Sequence, residues 1–268
     1  MGLNPETGIL MTDTRALITG ASAGLGREFA RQLAKSGKDL VLVARRVRPM
    51  ENLAEELKSN HNVRVDIIQA DLSDPVTPAR LYEEVQLRGL MVDCLINNAG
   101  SSGPDLLLNR DWPAAHDYLE LMMNSIVAMC HFFVPPMQAR GLGRVLNVAS
   151  VAGQIATPGD YSYGPTKAYL IAFSRGLSGA VKKDGVHVMA LCPGFTHTDF
   201  HASDKLTRMK RSLPKFIWYD AEVVVREGLK ALEKRREVYI SGRLYRYLVP
   251  LLRTPLGALV FLALRVKL

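Results

Sequence analysis

The chain has 268 residues, 48% of them hydrophobic, which fits one large α/β domain, or two small ones, with ample core. Its formal charge of +8 is compatible with nucleic acid, a membrane surface, or an anionic cofactor or substrate, but no basic run of the localisation type and no nucleic-acid motif is present. Cys94, Cys130 and Cys192 lie far apart, match no metal spacing and leave one thiol unpaired, so they read as core residues of a protein in a reducing compartment.

Residues 1–13 read as a loose leader in which Met11 is an alternative start. Gly2 to Glu6 fails the myristoylation pattern, because Glu6 stands where Ser or Thr is required. No signal peptide precedes the first strand, and no apolar run approaches the roughly 18 residues of a membrane span; the expectation is a cytoplasmic protein. From there β-rich runs alternate with helical periodicity. Strands are predicted at Arg15–Thr19, Asp39–Ala44, Arg64–Gln69, Cys94–Asn97, Arg144–Ala149, His187–Cys192 and Glu237–Ile240. Helices are predicted at Leu25–Ser36, Met50–Ser59, Pro75–Arg88, Trp112–Ala139, Tyr161–Lys183 and Asp220–Lys234. Parallel strands need crossovers, so this alternation predicts a doubly wound (Rossmann) parallel sheet of about seven strands with helices on both faces. It forms a single domain over 14–242, followed by a basic, apolar C-terminal extension over 243–268. Such a sheet carries its ligand at the carboxyl ends of its strands, near the switch in strand order.

At the first strand-to-helix turn stands Thr19-Gly-Ala-Ser-Ala-Gly-Leu-Gly26. The missing side chains of Gly20, Gly24 and Gly26 let a backbone approach a pyrophosphate, and the next helix presents unpaired N–H groups to it. A tight turn needing positive φ would look the same. The spacing T-G-x3-G-x-G resembles that of the short-chain dehydrogenase/reductase family, and further motifs follow in family order. Asn97-Asn98-Ala99-Gly100 ends the fourth strand and Ser150 closes the fifth. Tyr163-x3-Lys167 comes thirteen residues after that serine, and Pro193-Gly194 ends the sixth strand with Thr198 beyond. The match runs from about Arg15 to Phe200.

The chemistry also follows from the residues. In a helix, Tyr163 and Lys167 lie one turn apart on one face. A cation about 4 Å from a phenol, at an effective dielectric near 20, contributes roughly 4 kcal/mol, about three pKa units, which would poise Tyr163 near 7. Ser150 would hydrogen-bond the carbonyl oxygen that gains charge, and Tyr163 would donate the proton. Tyr161 has Pro165 four residues on, so the register selects Tyr163. By resemblance, Asn124 holds a water against the lysine; bonding to its own backbone is its plainer role.

The second strand ends Val43-Ala44-Arg45-Arg46, with no acid for a ribose hydroxyl and a guanidinium at once, which favours NADP(H) over NAD(H). The resemblance makes Arg45 the main contact, with Arg46 a solvated neighbour and Ser22 an added hydrogen bond to the 2′-phosphate. It places Asp71 near the adenine beside Leu72, and Asn98, Ala99 and Gly100 along the ribose, Asn98 with a purely structural alternative. It also sets Thr19, Leu25, Pro193, Gly194 and Thr198, with Tyr163 and Lys167, against the cofactor; no metal site is expected.

By the same resemblance the substrate pocket is built from the loops Ser101–Leu108, Val151–Asp160 and Phe195–Phe216, which hold Leu106, Leu107, Ile155, Phe195 and Phe200 and so point to a lipophilic ketone or alcohol of 3-oxoacyl or steroid-like type. The basic stretch Lys205–Arg211 fits an acyl-carrier phosphate or a solvated helix face. After Glu237 no acid remains, and arginines alternate with apolar residues to the end. That extension fits a membrane interface, a pocket cap or an oligomer contact. The resemblance implies a homodimer or homotetramer through the two long helices. The alternative to an enzyme is a silent NADP(H)-binding sensor, whose usual mark would be loss of Ser150, Tyr163 or Lys167.

Overall fold

The protein is described by a computed structural model covering residues 14–103, 105, 107, 110–155, 159–198, 214–252 and 254. Seven strands form one parallel sheet: β1 (Thr14–Thr19), β2 (Asp39–Ala44), β3 (Val65–Gln69), β4 (Met91–Asn97), β5 (Gly143–Val148), β6 (Val186–Cys192) and β9 (Val238–Ile240). Their order is β3-β2-β1-β4-β5-β6-β9, so the direction of winding reverses between β1 and β4. The expected doubly wound sheet is therefore the observed one. The inner strands β1, β5 and β6 are buried on both faces at every residue but Arg144 and carry apolar runs such as Ala16–Ile18 and Val188–Cys192, as strands covered on both sides do.

The helices are α1 (Gly24–Lys35), α2 (Val47–His61), α3 (Thr77–Leu87), α4 (Trp112–Leu119), α5 (Ser125–Ala139), α6 (Tyr163–Val181), α7 (Ala221–Glu233) and α8 (Arg243–Leu252). One core lies under α1, α2 and α7 around Phe29, Met50, Leu57, Leu191 and Val225. The core of the opposite face joins α3 and α5 around Leu81, Met129, Phe133 and Val145. Cys94 in the first core, Cys130 in the second and Cys192 in a third cluster are free, buried thiols as expected, each held well above the usual thiol range by burial.

Four features go beyond or differ from the sequence expectation. The predicted helix Trp112–Ala139 is interrupted by a π turn at Glu120–Asn124, between α4 and α5. The same stretch has the length and mean hydropathy (1.2) of a membrane-crossing helix, against the expectation that no run would; half of it is buried within the protein, with Met129, Phe133 and Met137 on the sheet. Beyond β6 a two-residue ribbon, β7 (Thr196–His197) with β8 (Tyr219–Asp220), joins the ends of the segment before α7. Finally, the start of the extension is helix α8, which packs back on the domain and buries Tyr245 and Val249.

Candidate active site

The carboxyl ends of β1, β4, β5 and β6 converge beside the winding reversal, where the glycine turn, Ser150 and the Tyr163 helix meet. Gly20 and Gly24 take positive φ, +67° and +53°, which only glycine adopts without strain. Bareness at Gly20 and Gly26 serves internal packing directly: a Cβ on Gly26 would stand 2.3 Å from the Gly20 carbonyl oxygen and 2.6 Å from Asn98 Nδ2. Asn98 Nδ2 donates to the Thr19 carbonyl at 2.9 Å, while the Thr19 hydroxyl accepts from the N–H groups of Asn98 (2.9 Å) and Ala99 (3.0 Å). These bonds lock the ends of β1 and β4 together. Gly100 lies against the Met122 thioether, Leu25 packs on the first core, and Gly24 faces Thr198.

At the end of β2 the two arginines divide. Arg46 Nη2 donates to Ser22 Oγ at 3.2 Å, whereas Arg45 Nη1 sits 3.7 Å from Asp71 Oδ2. Burial pushes the Asp71 carboxyl up, but hydrogen bonds from Ser73 and the charge of Arg45 outweigh it and hold the group low. Leu72 is buried beneath. The guanidinium that meets Ser22 is thus Arg46, which sequence reasoning ranked second; its placement as first residue before α2 carries it there. A guanidinium and a hydroxyl converging beside the glycine turn, with no carboxylate between them, fit the 2′-phosphate of NADP(H).

Ser150, two residues beyond β5, is in extended conformation, and its hydroxyl accepts from Ala152 N–H at 3.1 Å, starting the one-turn helix Val151–Gly153. Gly153 allows that turn to lie on α6, since a Cβ there would come within 2.5 Å of the Lys167 backbone. The Asp160 carboxylate accepts from Gly164 N–H at 2.9 Å and fixes the start of α6. Tyr161 therefore lies outside the helix, exposed and hydrogen-bonded to Asp105, and Tyr163 opens the first turn, as the register selected.

Lys167 is 5% exposed, and its Nζ donates to the Val148 carbonyl at 2.9 Å while lying 5.7 Å from the centre of the Tyr163 ring. The expectation of a phenol poised near 7 fails for the chain alone. Burial pushes the Tyr163 phenol well above its usual value, with the hydrogen bond to Ser150 pulling the other way. The ammonium that was to lower it is spent on a backbone carbonyl and is itself brought down by burial to about 8. A buried phenol of this kind stays protonated at neutral pH and is suited to giving a proton.

Asn124 is exposed at the end of the π turn, and its side-chain amide donates to Glu120 Oε2 at 2.7 Å. The side chain thus bonds within its own helix, while the π turn as a whole packs against α6. Pro193 carbonyl accepts from Val151 N–H at 2.9 Å, which ties the turn after β6 to the serine. Gly194 is covered by the Tyr245 ring, a contact from α8 that no motif announced. Among the described residues no group of three or more metal-binding side chains occurs. Leu106, Phe200, Lys205–Arg211 and the apolar run 256–264 lie outside the described residues, as does the leader 1–13. Ile155 is half-buried and Leu107 exposed.

Comparison with known proteins agrees with this geometry. The family model described as short chain dehydrogenase matches residues 14–208. A 17-beta-hydroxysteroid dehydrogenase type 3 from Danio rerio is 28% identical over 242 residues, covering 88% of this chain and 76% of its own. A very-long-chain 3-oxoacyl-CoA reductase from Coprinopsis cinerea is 32% identical over 219 residues, 80% of this chain; the chain spans only 63% of that relative's length. Among solved structures, a short-chain dehydrogenase from Sphingobium yanoikuyae in complex with NADPH superposes with a TM-score of 0.79 at 27% identity, covering 95% of this chain and 96% of the other.

Proposed function

Because the chain belongs to the short-chain dehydrogenase family, we propose that it is an NADP(H)-dependent oxidoreductase acting on the carbonyl of a lipophilic ketone, or on the matching secondary alcohol. The observation that carries the reading is the meeting of Ser150, Tyr163 and Lys167 at the carboxyl ends of the strands, with the Arg46–Ser22 pair on the glycine turn. When bound, NADPH supplies the hydride. Tyr163, kept protonated by burial, gives its proton to the carbonyl oxygen. Ser150 bonds the same oxygen as charge gathers on it, and the Lys167 ammonium stabilises the phenolate that remains. By resemblance to the family Asn124 would hold a water against Lys167; its own side-chain bond runs to Glu120, within the π turn. Arg46 and Ser22 would hold the 2′-phosphate with Arg45 beside them. Thr19, Gly20, Gly24, Leu25, Gly26, Asn98, Ala99 and Gly100 would wall the pyrophosphate and ribose, Asp71 and Leu72 the adenine, and Pro193, Gly194 and Thr198 the nicotinamide side.

The relatives' printed activities, on a steroid and on very-long-chain 3-oxoacyl-CoA, support a lipophilic substrate. Following NADPH oxidation across ketones graded from short polar compounds to long 3-oxoacyl thioesters and sterols tests it. Turnover confined to the long apolar members upholds the assignment; NADPH binding without reduction of any carbonyl returns the protein to the sensor reading. We also propose a folded domain reaching Leu252, a homo-oligomer formed through the outer faces of α5 and α6, and a cytoplasmic location with peripheral membrane contact. The exposed Tyr247 and Leu251 on α8 and the basic, apolar sequence after it favour that contact. Flotation with anionic vesicles should lift the full chain and leave behind a chain ending at Leu252; a cut at Ser241 would instead remove Tyr245 from the site. If both chains stay in the soluble fraction, the membrane reading is rejected.

A further inference from the structure

The segment that leaves β6 beside Ser150 and returns to α7 is held at both described ends by one side chain from the C-terminal helix. Tyr245 is 6% exposed; its hydroxyl accepts from Phe195 N–H at 3.3 Å and donates to the Ile217 carbonyl at 2.8 Å. Its ring covers Gly194 so closely that a Cβ there would stand 2.0 Å from it. Tyr219, on β8, answers from the other side: its hydroxyl accepts from Leu244 N–H at 3.1 Å, and its ring lies 5.9 Å from that of Tyr245. Arg246 Nη2 adds a contact of 3.3 Å to Glu227 on α7. An apolar side chain at 245 would fill the same space, but only a hydroxyl joins residues 195 and 217.

The turn so held stands between the two halves of the site. Pro193 is hydrogen-bonded to Val151, next to Ser150, and Thr198 lies over Gly24 of the glycine turn. We propose that Tyr245 is a positioning residue: through Gly194, Phe195 and Ile217 it fixes the turn Pro193–Thr198 on the nicotinamide side of the crevice, so that the C-terminal helix sets cofactor affinity. This rests on the cofactor reading above.

Trp218 supplies the reporter. It is buried, with its ring 5.0 Å from that of Phe195 and 5.4 Å from that of His197, whereas Trp112 is exposed and is replaced by Phe so that Trp218 alone reports. NADPH is titrated into the full-length protein while energy transfer from Trp218 to the dihydronicotinamide is followed, for Tyr245 and for Tyr245→Phe, which keeps the ring and loses both hydrogen bonds. Losing about 1–2 kcal/mol should weaken NADPH binding, and raise its KM, about five- to thirtyfold. The single-turnover rate at saturating NADPH should change less than about threefold, because Ser150, Tyr163 and Lys167 are untouched. As a second arm, Gly194→Ala should weaken binding strongly in the presence of Tyr245 and much less in a Tyr245→Ala background, where the Cβ has room. If Tyr245→Phe lowers Tm while NADPH binds as in the parent, the role is structural only and the proposal is overturned; additive effects of the Gly194 and Tyr245 substitutions overturn it too. A parent protein that binds no NADPH sinks the cofactor reading and this proposal together.

Discussion

Replacing Arg46 should change cofactor choice more than activity. Arg46 Nη2 lies 3.2 Å from Ser22 Oγ, and under the proposed reading the two would face the 2′-phosphate of NADPH, which carries about −1.5 to −2 charges at pH 7. A hydrogen bond to a charged group contributes about 1.5–3 kcal/mol, and the exposure of Arg46 places it near the lower figure. Arg46→Ala should therefore lower kcat/KM for NADPH about tenfold to thirtyfold. Arg46→Asp adds repulsion of about 1–4 kcal/mol at 4 Å for effective dielectrics between 80 and 20, bringing the loss to about a hundredfold or more. NADH presents a hydroxyl there and should lose less than about threefold, or gain. Arg45→Ala should cost less than Arg46→Ala, because Arg45 is already engaged 3.7 Å from Asp71. The assay is the ratio of kcat/KM for the two cofactors in each variant. Equal losses with NADPH and NADH, or a larger loss from Arg45 than from Arg46, would refute the division of labour drawn from the geometry.

Lys167, brought down to about 8, should give kcat/KM for NADPH a descending alkaline limb near pH 8, since the free protein loses the ammonium as pH rises through that value; Lys167→Arg should move the limb upward. Burial pushes Cys94 and Cys130 up to about 12 and Cys192 to about 11. These folded values exceed the unfolded ones, so the native state keeps protons the unfolded chain releases. Stability is full below about pH 8.5 and is lost as pH rises towards 11, by several kcal/mol for the three thiols together, which denaturant melts at pH 8 and pH 10.5 would read. Gly26→Ala must displace backbone at 2.3 Å and should cost about 2–3 kcal/mol, lowering Tm by about 5–10 °C, with NADPH binding lost in parallel. Gly176→Ala, in α6 with no atom within 4 Å of its Cβ, should instead raise stability by about 0.5–1 kcal/mol.

The sheet was legible because inner strands carry unbroken apolar runs such as Leu40–Ala44 and Val188–Cys192, separated by helical periodicity. The glycine turn, Ser150 and Tyr163-x3-Lys167 were legible as spacings. What escaped depends on contacts between residues distant in the chain. β7 and β8 are two residues each, too short to show a period, and pair only because the chain returns after some twenty residues. The π turn adds one residue to a helix whose apolar pattern runs on through it. Tyr245 lies in a run of arginines and apolar residues that fitted a membrane interface, a pocket cap or an oligomer contact alike; the contact that buries it is with the bare Gly194, 51 residues earlier. The state of Tyr163 was misjudged because the spacing places Lys167 near the phenol but does not show that its ammonium is held by Val148.

The most direct test is Tyr163→Phe, with NADPH binding and ketone reduction measured on the same preparation. Reduction should fall at least about a hundredfold while NADPH affinity stays within about threefold of the parent, because the phenol gives the proton and the ring keeps its place in α6. Reduction at the parental rate by Tyr163→Phe would contradict the account.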